Sequence, residues 1–147
     1  MMYKKIQLFS AFMLLVFSMG AQDIESAYKL LSYGKAEDAV EMAQKVVSAD
    51  PANLGNQFSL YNLLNAAENY TEAAKVLEGI KVADANGPYG KTADVIQQLA
   101  AGANAEDLTS AIDKAIRKGK KAKGFLYRTV GEYFLFGQKK NPVKAIF

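Results

Sequence analysis

Residues 36–49 read AEDAVEMAQKVVSA, and Asp50-Pro51 follows them directly. The apolar residues of this stretch recur at i, i+4, i+7 and i+8, at Ala39, Ala43, Val46 and Val47. That spacing places them on one face of a helix, so the stretch predicts an amphipathic helix. Because Asp caps helix starts well and Pro fits a first helical turn, we expect Asp50 and Pro51 to open the next helix.

Similar segments continue in both directions from this helix. Alanine, leucine, lysine and glutamate, which favour helix, are frequent, and glycine or proline separates the segments. No stretch alternates apolar and polar residues long enough to indicate a sheet. The sequence therefore predicts an all-α fold. We expect seven helices at about 24–33, 36–49, 53–67, 71–82, 91–101, 106–118 and 124–136, and an eighth that begins at Pro142.

A shift of 34 residues brings residues of the same class into register. The matched pairs are Leu30/Leu64, Ala39/Ala73, Ala43/Leu77, Val46/Ile80 and Asp50/Asp84. A single helix pair cannot bury its own apolar face, whereas stacked pairs bury a shared core. We therefore predict a helix–turn–helix repeat solenoid over 22–147, with units at about 22–53, 54–87 and 88–119 and an incomplete unit at 120–147.

With this spacing the chain resembles the tetratricopeptide repeat family, whose 34-residue unit is a helix–turn–helix. Gly34, Ala39 and Ala49-Asp50-Pro51 look like that family's turn glycine, crossing alanine and terminal proline. The opening tryptophan of the family is absent, and we expect the third unit to lie out of register. The resemblance implies a right-handed superhelix in which the first helix of each unit lines a concave groove.

The resemblance also implies that this groove binds a protein or peptide partner. Exposed aromatic rings there would supply contact area, and amides would pair with a peptide backbone. The groove positions that carry over are Tyr28, Leu31, Phe58, Asn62, Asn65 and Tyr89. Ile24 stands where a lysine would be needed to hold a peptide carboxylate, so we do not expect that mode of binding.

The first 21 residues have the composition of an export signal. Lys4 and Lys5 precede an almost wholly apolar run at residues 8–17, and small residues follow it. The run is shorter than the roughly 20 residues that a membrane-spanning helix needs. We predict cleavage after Gly20 or Ala21, export to the periplasm or outer envelope, and no integral membrane span in the cleaved chain.

Loss of this segment lowers the net charge from +3 to +1 and leaves two halves of opposite sign. Residues 23–113 carry 14 acidic and 6 basic side chains, whereas residues 114–144 carry 10 basic side chains and one acid, Glu132. The basic patch comprises Arg117, Lys118, Lys120, Lys121, Lys123 and Arg128. Export argues against nucleic acid as its partner, which leaves a solvated loop, an anionic envelope surface or a contact with the acidic half.

The sequence contains no Cys, His or Trp. A thiolate nucleophile, a Ser–His–Asp triad and a thiolate or imidazole metal site are therefore excluded. The remaining prominent acids lie at predicted helix starts or turns, where helix capping explains the presence of an acid. They are Glu37-Asp38, Asp84 and Glu106-Asp107. We predict no catalytic residue, no metal and no cofactor, and hence no enzyme.

These features together predict an exported scaffold for protein–protein interaction. The alternative is that the chain is the recognition module of a larger exported protein, whose further part carries an enzymatic or cell-wall-binding function. The apolar ending Val143-Lys144-Ala145-Ile146-Phe147 resembles an interrupted repeat, so we expect an N-terminal piece of a longer protein. The sequence specifies neither the identity of the partner nor the oligomeric state.

Overall fold

The computed structural model describes residues 23–103 and 123–137, together with residues 110, 113, 114, 116 and 117. This part of the chain is all-α and contains no strand, as predicted. Its six helices are α1 (Ile24–Ser32), α2 (Ala36–Ala49), α3 (Leu54–Ala66), α4 (Tyr70–Ala83), α5 (Pro88–Ala101) and α6 (Lys123–Phe136). The predicted signal at 1–21 and the end of the incomplete unit lie outside the described residues. Of the helix predicted at 106–118, the structure describes only positions 110, 113, 114, 116 and 117, all of which are helical.

The ends of α1, α3 and α5 lie at a fixed spacing along the chain. Gly34, Glu68 and Gly102 have φ of 76°, 59° and 105°, and they lie 34 residues apart. The residue after each donates its N–H to the carbonyl oxygen five residues earlier, in Lys35→Leu30 (3.1 Å), Asn69→Leu64 (2.8 Å) and Ala103→Gln98 (2.9 Å). This is the usual hydrogen-bonded ending of a helix at a left-handed residue. α5 therefore ends at the same interval as α1 and α3, whereas most of the segment on which the slip was predicted, 111–115, lies outside the described residues.

α2 and α4 have matching lengths and spacing. α2 and α4 each span 14 residues and begin 34 residues apart. The N–H of Asp50 donates to Val46 at 3.2 Å, and the N–H of Asp84 donates to Ile80 at 3.1 Å. Asp50 thus ends α2, and the expectation that it opens the next helix is wrong. Asn53 caps α3 instead, because its Oδ1 accepts the N–H of Asn56 at 3.1 Å.

The start of α5 depends on an acid outside the helix. We expected this helix from about residue 91, but it begins at Pro88. The Asp84 carboxylate accepts the N–H groups of Tyr89 and Gly90, at 2.8 and 3.3 Å. Pro88 lacks an N–H and needs no such partner. Asp84 therefore extends the helix backward by one turn, and the capping role predicted for it is confirmed.

Consecutive helices pack against one another from α1 to α5, and α6 returns to pack against α3 and α5. Small residues lie where the helices meet: Ala27, Ala39, Ala43, Ala73 and Ala93 are all buried. α3 is the most enclosed element, with neighbours in α1, α2, α4 and α6. Its eight consecutive residues from Phe58 to Asn65 are buried, so no side of this stretch faces solvent.

Two glycines provide a matched test of this packing. A Cβ at Gly90 would lie 2.2 Å from the backbone oxygen of Asp84, whereas a Cβ at Gly79 would meet no atom within 4 Å. We expect Gly90→Ala to lower the free energy of unfolding by about 2 kcal/mol, since the clash involves backbone. Gly79→Ala, inside α4, should raise it by about 0.5–1 kcal/mol.

Urea unfolding followed by circular dichroism measures both changes. Equal effects of the two substitutions would show that the turn at 84–90 is not as tightly packed as described.

Candidate functional site

The structure encloses half of the predicted groove residues. Phe58, Asn62 and Asn65 are 0%, 3% and 5% exposed, so the exposure that we expected of aromatic and amide side chains is not found at these positions. Tyr28, Leu31 and Tyr89 are partly buried and pack against the core. The physical reason is that other elements pack on this face: Glu132 of α6 accepts the amide of Asn62, and the ring of Tyr89 on α5 lies beside Phe58.

A polar cluster joins α1, α3 and α6 at the centre of this contact. Glu132 of α6 is the shared acceptor: its Oε2 receives the Tyr28 hydroxyl at 2.8 Å and the side-chain amide of Asn62. Its Oε1 receives Nε of Arg128, one turn earlier on α6, at 2.5 Å. The Glu132 side chain is only 11% exposed. A carboxylate removed from water in this way requires several donors, and three are present.

Arg128 also packs on the same tyrosine. Its guanidinium lies 4.5 Å from the centroid of the Tyr28 ring, a distance at which a cation is attracted by the ring face. Burial, with the negative charge of Glu132 as a second cause, raises the pKa of Tyr28 to about 12. The hydroxyl of Tyr28 is therefore a hydrogen-bond donor at neutral pH, as the contact with Glu132 requires.

The cluster is suited to holding helices together. Both oxygens of Glu132 accept hydrogen bonds, so the carboxylate is already engaged on both sides. Oδ1 of Asn62 is the exception in the group, since it is buried and has no hydrogen-bond partner among the described residues. We name this set of Tyr28, Asn62, Arg128 and Glu132 the Glu132 cluster.

The basic patch predicted from the sequence is described only in part. Lys118, Lys120 and Lys121 lie outside the described residues. Each of the other three has a partner within the chain: Arg117 pairs with Asp113 at 3.2 Å, Lys123 lies 5.7 Å from the Tyr127 ring centroid, and Arg128 belongs to the Glu132 cluster.

A cavity of about 140 Å³ lies between α3, α4, α5 and α6. Its inner wall contains the buried residues Tyr61, Asn65 and Tyr133, and its rim contains the exposed residues Ala74 and Ala100. The Tyr133 hydroxyl is buried without a hydrogen-bond partner in the described part of the chain. Burial raises the pKa of both tyrosines on this wall, Tyr61 and Tyr133, so both are neutral phenols at physiological pH.

The described residues contain neither a metal-binding cluster nor a membrane-spanning helix. Among them, no group of three or more Asp, Glu, His or Cys side chains lies where it could hold a metal ion. No helix within the described ranges has the length and apolar character needed to cross a membrane.

Sequence reasoning missed Glu132, Tyr61 and Tyr133 as site residues. A signal for Glu132 was present, because it is the one acid among the bases of 114–144 and stands four residues after Arg128. Such an i, i+4 pair on a helix can form a salt bridge. Nothing local marks Tyr61 or Tyr133, since the cavity forms only where four helices meet.

Comparison of the chain with protein-family models, with curated proteins and with solved structures finds no match.

The Glu132 cluster can be tested against an exposed pair of the same spacing. Lys45 and Glu41 also form an i, i+4 salt bridge, but both side chains are about two-thirds exposed. We expect Glu132→Ala to lower the free energy of unfolding by about 3 kcal/mol, because it leaves the buried amide of Asn62 without its acceptor. Glu41→Ala should leave stability almost unchanged, since exposed pairs contribute little.

Chemical denaturation of the two variants under identical conditions gives the comparison. Similar small losses in both would mean that α6 does not depend on Glu132 for its position.

Proposed function

We propose that this chain is a helical-repeat scaffold of the tetratricopeptide type and that it binds a protein partner. The observation that supports the proposal most strongly is the spacing of the left-handed residues Gly34, Glu68 and Gly102, each of which ends a helix after the same interval. The matched bounds of α2 with α4, and the matched starts of α3 and α5, give the same 34-residue interval. Chains built from such units commonly use extended surfaces for binding.

The proposed binding surface is the part of the groove face that α6 leaves accessible. Tyr28 and Leu31 of α1 and Tyr89 of α5 are partly exposed there. A partner would reach Asn62 only if α6 moved away from α3, because Glu132 accepts the amide of Asn62. Such a movement would break the hydrogen bonds that Glu132 accepts from α1 and α3, and the loss of these bonds would be its main energetic cost.

We propose binding rather than catalysis as the role of this surface. The carboxylate at its centre is engaged by three donors, and the neighbouring side chains are a tyrosine, an amide and a guanidinium. This arrangement suits a fixed structural contact. The chemistry available to a partner at the accessible positions is aromatic and aliphatic contact area.

Site-specific photocrosslinking tests the proposed surface and does not require the partner to be identified first. A photoreactive phenylalanine analogue is placed at Leu31 on α1, and at Val82 on α4 as the control. Val82 is 71% exposed and lies away from the groove face that we predicted. We expect a discrete protein adduct from position 31 in intact cells, and none from position 82.

Circular dichroism of both labelled chains checks that the fold is retained. The same adducts from both positions, or adducts from position 82 alone, would refute the groove assignment.

We also propose that the chain is exported and cleaved, on the strength of the apolar run at 8–17 and the small residues after it. Sequencing of the N-terminus of the chain purified from its native cells should find Ala21 or Gln22 as the first residue. Replacement of Leu14 and Leu15 by lysine should abolish cleavage, because charge in the apolar run prevents its recognition. A wild-type chain that begins at Met1 would contradict the proposal.

A further inference from the structure

The turn between α4 and α5 contains the pair Asn86-Gly87, and Asn86 is exposed. The chain has eight asparagines, and this is the one that a glycine follows. The backbone nitrogen of the next residue can attack the side-chain carbonyl carbon of an asparagine, which closes a five-membered ring. Glycine lacks a Cβ and so leaves that nitrogen open to approach. Asparagine is among the thermolabile residues of proteins, and this pair is its most reactive context in the chain.

The reaction replaces the amide of Asn86 by a carboxyl group. The nitrogen of Gly87 loses its proton to solvent base and forms a bond to Cγ of Asn86, and the side-chain amide leaves as ammonia. Water then opens the resulting succinimide at one of its two carbonyl carbons. Opening at Cγ restores a normal backbone and gives aspartate, whereas opening at the main-chain carbonyl gives isoaspartate. One water is consumed and one ammonia released, so the step needs neither an oxidant nor a further reactant.

The fold restrains this reaction through the turn itself. The N–H of Gly87 donates to the carbonyl oxygen of Asp84 at 2.8 Å, so the attacking nitrogen keeps its proton while the turn is closed. The Asp84 carboxylate accepts the N–H groups of Tyr89 and Gly90, which joins the start of α5 to the same turn. The nitrogen therefore becomes available when this segment opens locally.

The same turn has no room for a longer backbone. A Cβ at Gly87 would overlap the Asp84 carboxylate, and a Cβ at Gly90 would overlap the backbone carbonyl of Asp84. Isoaspartate at position 86 adds one carbon atom to the backbone between Asp84 and Gly87. The Asp84 carboxylate then cannot keep its present distances to the N–H groups of Tyr89 and Gly90. The isoaspartyl product therefore loses the side-chain cap of α5.

We propose that Asn86 is a site of spontaneous deamidation, that the turn held by Asp84 sets the rate, and that the isoaspartyl product weakens the start of α5. The modified fraction grows with the age of the folded chain. Because the reaction involves only this turn and solvent, the inference does not rest on the proposed partner binding.

Incubation of the whole folded chain, followed by trypsin digestion and mass spectrometry, tests the site. Cleavage after Lys81 and Lys91 releases residues 82–91. This peptide should gain the mass difference between a carboxyl group and an amide, and faster at higher pH, because the attacking nitrogen must lose its proton. Asn69 is also exposed but is followed by Tyr70, so it is the internal control and should stay an amide. A sample digested without incubation corrects for conversion during handling.

Asp84→Ala tests the control of the rate by the turn. The variant removes the acceptor of the Tyr89 and Gly90 N–H groups, so the turn should open more often. Conversion at Asn86 should then be about fivefold faster than in the wild-type chain, the effect of one lost helix cap. Glu72→Ala, which removes an exposed acid of α4, should leave the rate unchanged. In concentrated urea the three chains should convert equally fast.

A comparison with Asn86→Asp isolates the effect of the backbone. The isoaspartyl chain, separated by chromatography after incubation, has the same mass and charge as this variant and differs only in the length of its backbone. It should unfold at a lower urea concentration than Asn86→Asp.

Conversion at Asn86 no faster than at Asn69 in the folded chain would overturn the proposal. An equal rate in Asp84→Ala and the wild-type chain would overturn it too, as would an isoaspartyl chain as stable as Asn86→Asp. None of these results bears on crosslinking at Leu31, so failure here and failure of the proposed function can be told apart.

Discussion

The stretch from Phe58 to Asn65 of α3 is buried on every side, and this constraint governs the rest of the structure. A helix in that position cannot direct its polar side chains to water, so each needs a partner within the protein. Asn65 finds one in its own helix, where its amide donates to the carbonyl of Tyr61 at 2.9 Å. The side-chain N–H of Asn62 instead donates to Glu132, 70 residues further along the chain.

The position of α6 follows from that requirement. Glu132 can accept from Asn62 only if α6 lies against α3, and in that position it also receives the Tyr28 hydroxyl from α1. One carboxylate therefore links three helices that are far apart in sequence. The carboxylate itself is stabilised by Arg128, whose guanidinium in turn lies over the Tyr28 ring. The four side chains form one unit, in which removal of Glu132 would leave the buried Asn62 amide and the Tyr28 hydroxyl without their acceptor.

Much of the helical framework could be predicted from the sequence, because its determinants are local. The apolar spacing of residues 36–49 predicts α2 to the residue, and glycine at position 34 marks the turn before it. Where local signals were ambiguous, the prediction was wrong: Asp50-Pro51 has the form of a helix start, yet the N–H of Asp50 still belongs to α2. The left-handed residue at Glu68 carries no glycine signal at all.

The environment of the candidate site could not be predicted, because it depends on contacts between distant segments. Phe58 and Asn62 have the side chains of a binding face, yet both are interior: the rings of Tyr61 and Tyr89 lie beside Phe58, and Glu132 of α6 accepts the amide of Asn62. The Tyr28–Glu132 hydrogen bond spans 104 residues, a separation at which helical periodicity gives no information. The cavity beside Tyr133 likewise arises where four helices meet, and no single helix encodes it.

The contact of α6 with α3 through Glu132 is central to this structure, and a nuclear Overhauser experiment on the isotopically labelled chain tests it most directly. We expect cross-peaks from the side-chain amide protons of Asn62 to the Hγ protons of Glu132, with slow solvent exchange of those amide protons. An α6 that is helical but shows no cross-peak to any side chain between Phe58 and Asn65 would contradict this arrangement.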